Sequence, residues 1–287
     1  MISSLIGVVF DGLAYGMLLF LISVGLSITL GLMNFVNLAH GAFGMLGGYV
    51  CAVATTHWNV PFLAALPLAF AAAALTGVLL ERVLFRRLYR GSPLDQVLLT
   101  IGLTFMAIAV ATYLFGSQQQ ALHLPRYLSG QFSVYRVDLN IYRVFLLAVG
   151  LVLTVALTLV VDRTRFGAAV RAAVDNPRVA EALGIRVALV FQIAFAAGCG
   201  LAGLGGALGV EVLGLDPVFP LKYLVYFLLV VAVGGTGTLK GPLYAALLLG
   251  VADVAGKYYV PQAGAFIIYA VMLILLIIRP QGLVSRS

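Results

Sequence analysis

The feature that most constrains this sequence is a run of 69 residues, from 12 to 80, without Asp, Glu, Lys or Arg. A membrane-spanning helix needs about 20 mostly apolar residues, so this run alone has room for about three crossings. Over all 287 residues, 63% are hydrophobic and only 9% are charged, whereas about a quarter are charged in an ordinary soluble domain. The composition excludes a soluble enzyme, a disordered chain and a disulfide scaffold, and it predicts a polytopic membrane protein.

Nine hydrophobic segments follow one another along the chain. Backbone within lipid must satisfy its own hydrogen bonds, and these runs lack the alternation of barrel strands, so we expect helices. The segments lie near residues 5–30, 41–56, 61–80, 96–115, 143–161, 187–209, 219–235, 241–256 and 264–279. The segment at 219–235 is the weakest, because Lys222 and two glycines shorten it. The sequence predicts an all-α fold, a polytopic transmembrane helical bundle of eight or nine membrane helices in one domain, 1–287.

Positive residues are unevenly distributed, and positive charge marks the cytoplasmic side of a membrane protein. This rule predicts an external N-terminus, an external loop at 116–142 and a cytoplasmic loop at 162–186. The external loop is either a landing surface for a partner or a linker, and its second part alternates as a short strand pair would. The net charge of +7 follows from this distribution and does not indicate nucleic-acid binding. The cytoplasmic positive residues are Arg82, Arg86, Arg87, Arg90, Arg163, Arg165, Arg171, Arg178, Arg186, Lys240, Arg279 and Arg286.

The cytoplasmic loop contains the signals of a short helix. Asn176 is a good N-cap, and Pro177 suits the first helical position. Val179, Ala180 and Leu183 form an apolar stripe, and Gly184 supplies a C-terminal stop. A short amphipathic helix outside the bilayer either rests on lipid headgroups or fits a groove on another protein.

Four motifs of this sequence resemble one family of transport proteins. They are RAAVDNPRVAEALGI at 171–185, GLSITLGLMNFVNLAHGAFGMLGGYV at 25–50, VVAVGGTGTLKGPLYAALLLGV at 230–251 and IIRPQGL at 277–283. The family is that of ABC-transporter permeases of the branched-chain amino acid type, and the chain is most similar to the shorter, H-type (LivH-like) subunit. The resemblance covers nearly the whole chain, with the motifs in order.

The resemblance implies a multi-pass subunit of the bacterial inner membrane with a small amino acid as substrate. Its implied partners are a second, M-type permease, two ABC ATPase subunits and a periplasmic substrate-binding protein. It also implies that the short cytoplasmic helix sits in a groove on an ATPase, with Ala180 at the closest contact. The implied coupling residues are Arg171, Asn176, Pro177, Ala180, Glu181 and Gly184.

The sequence GGTGTLKG at 234–241 superficially resembles a phosphate-binding loop. That loop requires Gly-Lys followed by Ser or Thr, whose hydroxyl holds magnesium, whereas here Leu239 precedes Lys240 and Gly241 follows it. No catalytic or metal-ligand constellation is present in the sequence. We therefore expect a subunit that is not an enzyme, needs no cofactor and takes its energy from ATP hydrolysed on partner subunits.

Polar residues within the hydrophobic segments are candidates for the translocation path, since such groups tend to face a bundle interior or a cavity. Asn34, Asn37 and His40 interrupt the join between the first two segments, which predicts a broken helix near 31–41. These side chains either line the path or cap the helix ends. Asp11 has no partner near it in sequence and could face an external vestibule, where the ammonium of a zwitterion would pass. The candidate path residues are Asn34, Asn37, His40, Thr100, Thr104 and Asp11.

Two further patterns concern packing and alternative functions. Glycines crowd residues 198–209, and small residues let membrane helices approach closely, so we interpret them as packing residues. A permease for urea, short amides or another small solute remains an alternative within the family. Outside it, an ion-coupled secondary transporter would need buried acidic pairs or a relay, and only Asp11 and Asp253 are available. A non-transporting membrane scaffold is a third alternative.

Overall fold

The computed structural model describes residues 2–33, 35, 37–88, 91–120, 122, 124–134, 137–235, 239–279 and 282–284. Within these residues the chain forms helices almost throughout, with one short strand pair on the side. The helices are α1 (Ile2–Met33), α2 (His40–Thr56), α3 (Phe62–Leu80), α4 (Pro93–Phe115), α5 (Ile141–Arg163), α6 (Arg165–Asp175), α7 (Pro177–Ala182), α8 (Val187–Leu213), α9 (Phe219–Gly234), α10 (Lys240–Tyr259) and α11 (Gly264–Ile278). A π-helical segment, Glu81–Phe85, and a last turn, Arg86–Leu88, extend α3.

Each of the nine hydrophobic segments corresponds to a helix, so the all-α prediction is confirmed. Among the described residues, five helices are long and apolar enough to cross a membrane on their own: Ser4–Gly31, Phe62–Leu88, Pro93–Phe115, Ile141–Arg163 and Val187–Leu213. Helices α9 and α11 are apolar but shorter. The predicted number of eight or nine crossings is not confirmed by length and hydropathy and stays a prediction.

The helix ends follow local sequence rules. Ser92 and Asp95 form a reciprocal capping box at the start of α4, where Pro93 occupies the first turn. The Asn140 side chain accepts a hydrogen bond of 2.8 Å from the Tyr142 amide and caps α5. Thr164 ends α5 and caps α6 through the Gly167 amide. These caps satisfy amides that the first turn of a helix leaves without partners.

Helix α8 forms the centre of the bundle and packs against α1, α2 and α3, while α1 also packs along α10. Glycines make these contacts close, as predicted. A Cβ at Gly206 would lie 1.9 Å from the Gly44 carbonyl oxygen of α2. A Cβ at Gly25 would lie 2.3 Å from the Gly198 carbonyl oxygen of α8. The backbones therefore touch along seams where no side chain fits.

The predicted break between the first two helices is confirmed. Helix α1 ends at Met33 and α2 begins at His40. The Asn37 side chain accepts a hydrogen bond of 3.1 Å from the Ala39 amide just before α2. The ring of His40 is buried, and its Nε2 donates to the Ile22 carbonyl of α1 at 2.7 Å. The start of α2 is thereby anchored beside the middle of α1.

The loop between α4 and α5 contains the predicted strand pair. Strands β1 (Gln131–Val134) and β2 (Val137–Asn140) pair antiparallel. A single bridge joins Gln120 to Leu215, which lies just after α8. The hydroxyl of Tyr142 donates to the Leu208 carbonyl of α8 at 2.6 Å. The loop is thus fastened to the central helix at one end of the bundle.

Between α5 and α8 the chain forms two short helices, of which the sequence predicted only the second. Helix α6 is amphipathic and contributes Ala173 to a small apolar cluster completed by Ala180 of α7 and by Val187 and Val190 of α8. Ala180 is 1% exposed. The prediction that its side chain faces a groove on a partner is therefore wrong, because that side chain is buried within this chain.

Candidate translocation path and coupling segment

The break between α1 and α2 gathers polar atoms inside an apolar bundle. Asn37 and His40 are fully buried. Asn37 Nδ2 and His40 Nδ1 have no hydrogen-bond partner among the described residues, and neither has the hydroxyl of Ser23 on α1. Asn34 lies outside the described residues. Buried polar atoms without partners are costly, so this break is a natural place for water or a polar solute.

Helix α4 presents a polar stripe to the bundle. Its buried residues include Gln96, Thr100 and Thr104, which are spaced four apart and so share one helix face. Both threonine hydroxyls donate to the carbonyl one turn earlier at 2.8 Å. Thr104 also lies 3.5 Å from the Leu38 carbonyl, within the break. The two predicted threonines therefore lie along the same region as Asn37 and His40.

Asp11 lies elsewhere. It is about 11 residues, or roughly 16 Å, along α1 from the residue that contacts His40. Its carboxylate forms an ion pair with Arg143 at the start of α5. Asp253 and Lys257 form the local ion pair that their spacing predicts, with Nζ and Oδ2 2.5 Å apart. Of the predicted path residues, Asp11 is thus separated from those at the break and lies in a charged cluster at the end of the bundle near α5.

The segment at 162–186 has the predicted local structure. The Asn176 side chain accepts from the Val179 amide at 3.2 Å, with Pro177 in the first turn of α7. Gly184 ends the turn with φ of 84°, in the left-handed region that favours glycine. Arg171 is half-buried and donates to the Val161 carbonyl, which ties α6 to α5. Glu181 is exposed.

The surface that α7 offers to a partner is apolar. Val179 is 52% exposed and Leu183 is 75% exposed, and one helical turn separates them. Ala180 on the adjacent face is covered by α6 and α8. Exposed apolar residues that lie side by side mark a contact surface, so the structure favours Val179 and Leu183 over Ala180 as the contact residues of α7.

A comparison with known protein families finds a match along almost the whole chain. A family model described as branched-chain amino acid transport system / permease component matches residues 8–276. The chain belongs to this family. It is therefore a multi-pass membrane permease component of a transport system.

Relatives in this permease family match nearly end to end. The permease protein BraD of the high-affinity branched-chain amino acid transport system of Pseudomonas aeruginosa is 27% identical, over 96% of this chain and 94% of its own length. The permease protein LivH of Escherichia coli K12 is 24% identical over the same shares of both chains. A probable LivH of Methanocaldococcus jannaschii is 24% identical over 94% of this chain and 89% of its own length. No solved structure matches the chain significantly.

Two features of this permease were missed by sequence reasoning. The partner of Asp11 is Arg143, 132 positions away, and no local pattern indicates such a pair. Helix α6 carries a detectable signal, because Phe166, Ala169, Val170 and Ala173 recur at helical spacing. A search for period 3.6 within the arginine-rich loop would have found it.

Proposed function

We propose that this chain is a transmembrane subunit of an ABC importer that moves branched-chain or related amino acids across the bacterial inner membrane. The named relatives belong to branched-chain amino acid transport systems. The observation that carries the proposal is the polar stripe of α4 facing the break between α1 and α2. A bundle that served only as a scaffold would gain nothing from the buried polar atoms of Asn37 and His40, which have no partner among the described residues.

The stripe and the break form the proposed path. Thr100 and Thr104 provide hydroxyl oxygens on one side, and Asn37 and His40 provide buried polar atoms on the other. Such a path offers several weak hydrogen bonds and no fixed charge, so a solute is not held there for long. Selectivity then depends mainly on a substrate-binding protein outside the membrane.

A second permease subunit of the M type is proposed to pack against this chain. Helices α4 and α5 make few contacts within the chain, and their outward faces carry large apolar residues along their whole length. Part of that surface contacts lipid, and part is available to a second subunit. Phe105 and Met106 of α4 are representative, at 55% and 65% exposed.

Two partner ATPases supply the energy in this proposal. The coupling segment is α6 and α7 with Gly184, and Val179 and Leu183 are its contact residues. Because the buried cluster joins α6 and α7 to the start of α8, a displacement of the segment is transmitted to the central helix. The path then opens alternately to the two sides.

An ion-coupled transporter acting alone is less well supported. Its relay would need carboxylates that exchange protons, whereas Asp11 and Asp253 each have a cationic partner, Arg143 and Lys257.

Isolation of the native complex from membranes tests the proposal. We expect two ATPase chains and a second permease to co-purify, and ATP-dependent uptake of leucine or a related amino acid after reconstitution with the binding protein. Uptake of urea or an amide instead of an amino acid would replace the proposed substrate with another solute carried within the same family. Uptake driven by an ion gradient without ATPases would overturn the proposal.

A further inference from the structure

A polar cavity lies at the end of the bundle where α5 begins. Its volume is about 160 Å³, and it lies between α1, α5, α8 and α10. Its polar lining comes from three different helices: Asp11, Tyr15, Arg143, Asp253 and Lys257. The remaining wall is apolar and includes Ala14, Leu146, Val212 and Val254. The positive-residue distribution predicts that this end of the bundle is external.

The charges around this cavity balance. Arg143 pairs with Asp11 across α5 and α1, and Lys257 pairs with Asp253 within α10. The Lys257 ammonium also lies 5.8 Å from the centre of the Tyr15 ring. The cavity therefore holds two negative and two positive groups around a common space, with no net charge of its own.

One carboxylate of this cavity is incompletely satisfied. Asp253 is only 1% exposed, and its Oδ2 receives the Lys257 ammonium. Its Oδ1 has no hydrogen-bond partner among the described residues. A buried carboxylate oxygen without a donor is costly, so Asp253 is arranged to accept a donor that enters the cavity.

We propose that this cavity binds the α-ammonium and α-carboxylate of a free amino acid. The ammonium donates to Asp253 Oδ1, and the carboxylate lies beside the Lys257 ammonium and the Arg143 guanidinium. A zwitterion keeps the cavity neutral, whereas a single cation or anion would add an unbalanced charge to it. The inference rests on the proposed function, since it gives that function's substrate a place to bind before it reaches the break.

The size of the cavity limits what it recognises. A cavity of about 150 Å³ accepts a molecule of about six heavy atoms, and the headgroup shared by all amino acids has five. The apolar wall at Ala14, Leu146 and Val254 meets only the first carbons of a side chain. The cavity therefore distinguishes amino acids from amines, acids and urea, and it discriminates little among side chains.

Cysteine protection in the purified chain, held in lipid nanodiscs, tests this site. Val254→Cys places a thiol on the cavity wall, and the native Cys51 and Cys199 are buried. We expect leucine, and equally alanine, to slow labelling by N-ethylmaleimide by the factor 1 + [L]/Kd of simple competition. We expect 3-methylbutylamine, 4-methylpentanoate and urea to protect at least about tenfold more weakly, since each lacks a charge-assisted contact.

Matched variants separate binding from general effects. Asp253→Asn should weaken leucine protection about tenfold or more, whereas Asp138→Asn in the strand pair should leave it unchanged. Trp58→Cys, an exposed site at the end of α2, should label without protection. Val212→Cys on the facing wall replaces Val254→Cys if that variant does not accumulate.

Three results would overturn the inference: no protection by leucine, equal protection by the amine, or protection that survives Asp253→Asn. Leucine uptake by the complete transporter, measured separately, distinguishes this failure from failure of the proposed function. Uptake without protection would leave the importer assignment intact and remove the cavity from it. Protection without uptake would leave the cavity as an amino acid site and overturn the importer assignment.

Discussion

At the scale of single residues, the bundle depends on positions where hydrogen is the largest side chain that fits. Gly206 and Gly44 touch where α8 crosses α2, and Gly25 and Gly198 touch where α1 crosses α8. Without a hydrophobic drive between helices in lipid, association rests on close packing. One added methyl group at such a seam therefore acts on the whole bundle.

Gly206→Ala should destabilise the chain, because the new Cβ would lie 1.9 Å from the Gly44 carbonyl oxygen. Overpacking of this kind costs about 1–3 kcal/mol. The measurement is the midpoint of thermal unfolding in detergent, together with the amount of protein in membranes. Gly102→Ala is the control: a Cβ there meets nothing within 4 Å, and alanine favours helix by up to about 1 kcal/mol. Equal unfolding midpoints for the two variants would contradict the close packing of α8 against α2 at Gly206.

At the scale of secondary-structure elements, α4 combines two unlike faces. Its outward face is apolar, as lipid or a second subunit requires, and its buried face carries Gln96, Thr100 and Thr104. A buried helix face in a soluble protein would be the apolar one. In the proposed function, this polar face borders the path of the solute.

Replacing Thr100 and Thr104 with Val should lower the maximal rate of amino acid uptake while protein amounts stay normal. Valine keeps the shape but removes the hydroxyls that face the break. Thr112→Val is a matched control, because Thr112 makes the same 2.8 Å bond to the preceding turn from an exposed position. A similar loss of uptake in the Thr112→Val control would show that the effect comes from losing the hydroxyl's bond to the preceding turn of α4, and not from the path.

Helix α7 should couple the chain to an ATPase through Val179 and Leu183. Changing both residues to Glu should abolish uptake by placing charge in an apolar contact, with the amount of chain in the membrane preserved. Val179→Ile with Leu183→Met keeps the surface apolar and should retain uptake. Normal transport by the double Glu variant would exclude this face as the coupling contact.

Local rules explain which elements could be predicted from the sequence. Asn176, Pro177 and Gly184 act within one turn of backbone, and their cap, first turn and stop all follow from residue type. Whether the Ala180 side chain is buried within the chain or faces a partner depends on where α6 and α8 lie. No sequence pattern inside α7 contains that information. The pair of Asp11 and Arg143 likewise exists only after α1 and α5 have packed.

At the scale of the whole molecule, long-range contacts agree with one orientation of the helices. Gln120 meets Leu215, and Asp11 meets Arg143, at the end that the positive residues predict to be external. Near the opposite end, the Ser27 hydroxyl lies 3.4 Å from the Gly235 carbonyl oxygen. The contacts sort the loops into two sets, which is what an alternating path through a membrane requires.

Single cysteines at three positions test the orientation in intact cells with a membrane-impermeant maleimide. Gln119→Cys should label from outside, whereas Arg86→Cys and Arg178→Cys should label only after the membrane is permeabilised. Comparison of each variant before and after permeabilisation supplies its own control. Labelling of position 86 or 178 from outside would reverse the topology.

The apolar cluster that joins α6 and α7 to the start of α8 has a mechanical consequence. Helix α8 has 27 residues, which makes a rod about 40 Å long. Its foot, the first turns at Val187 and Val190, packs against Ala173 of α6 and Ala180 of α7, and its glycines lie directly against the backbones of α1 and α2. A swing of about 5° at the foot displaces the far tip by roughly 3.5 Å over that length, more than the width of a water molecule. In the proposed coupling, a displacement of the six-residue helix α7 would therefore reach the opposite end of α8.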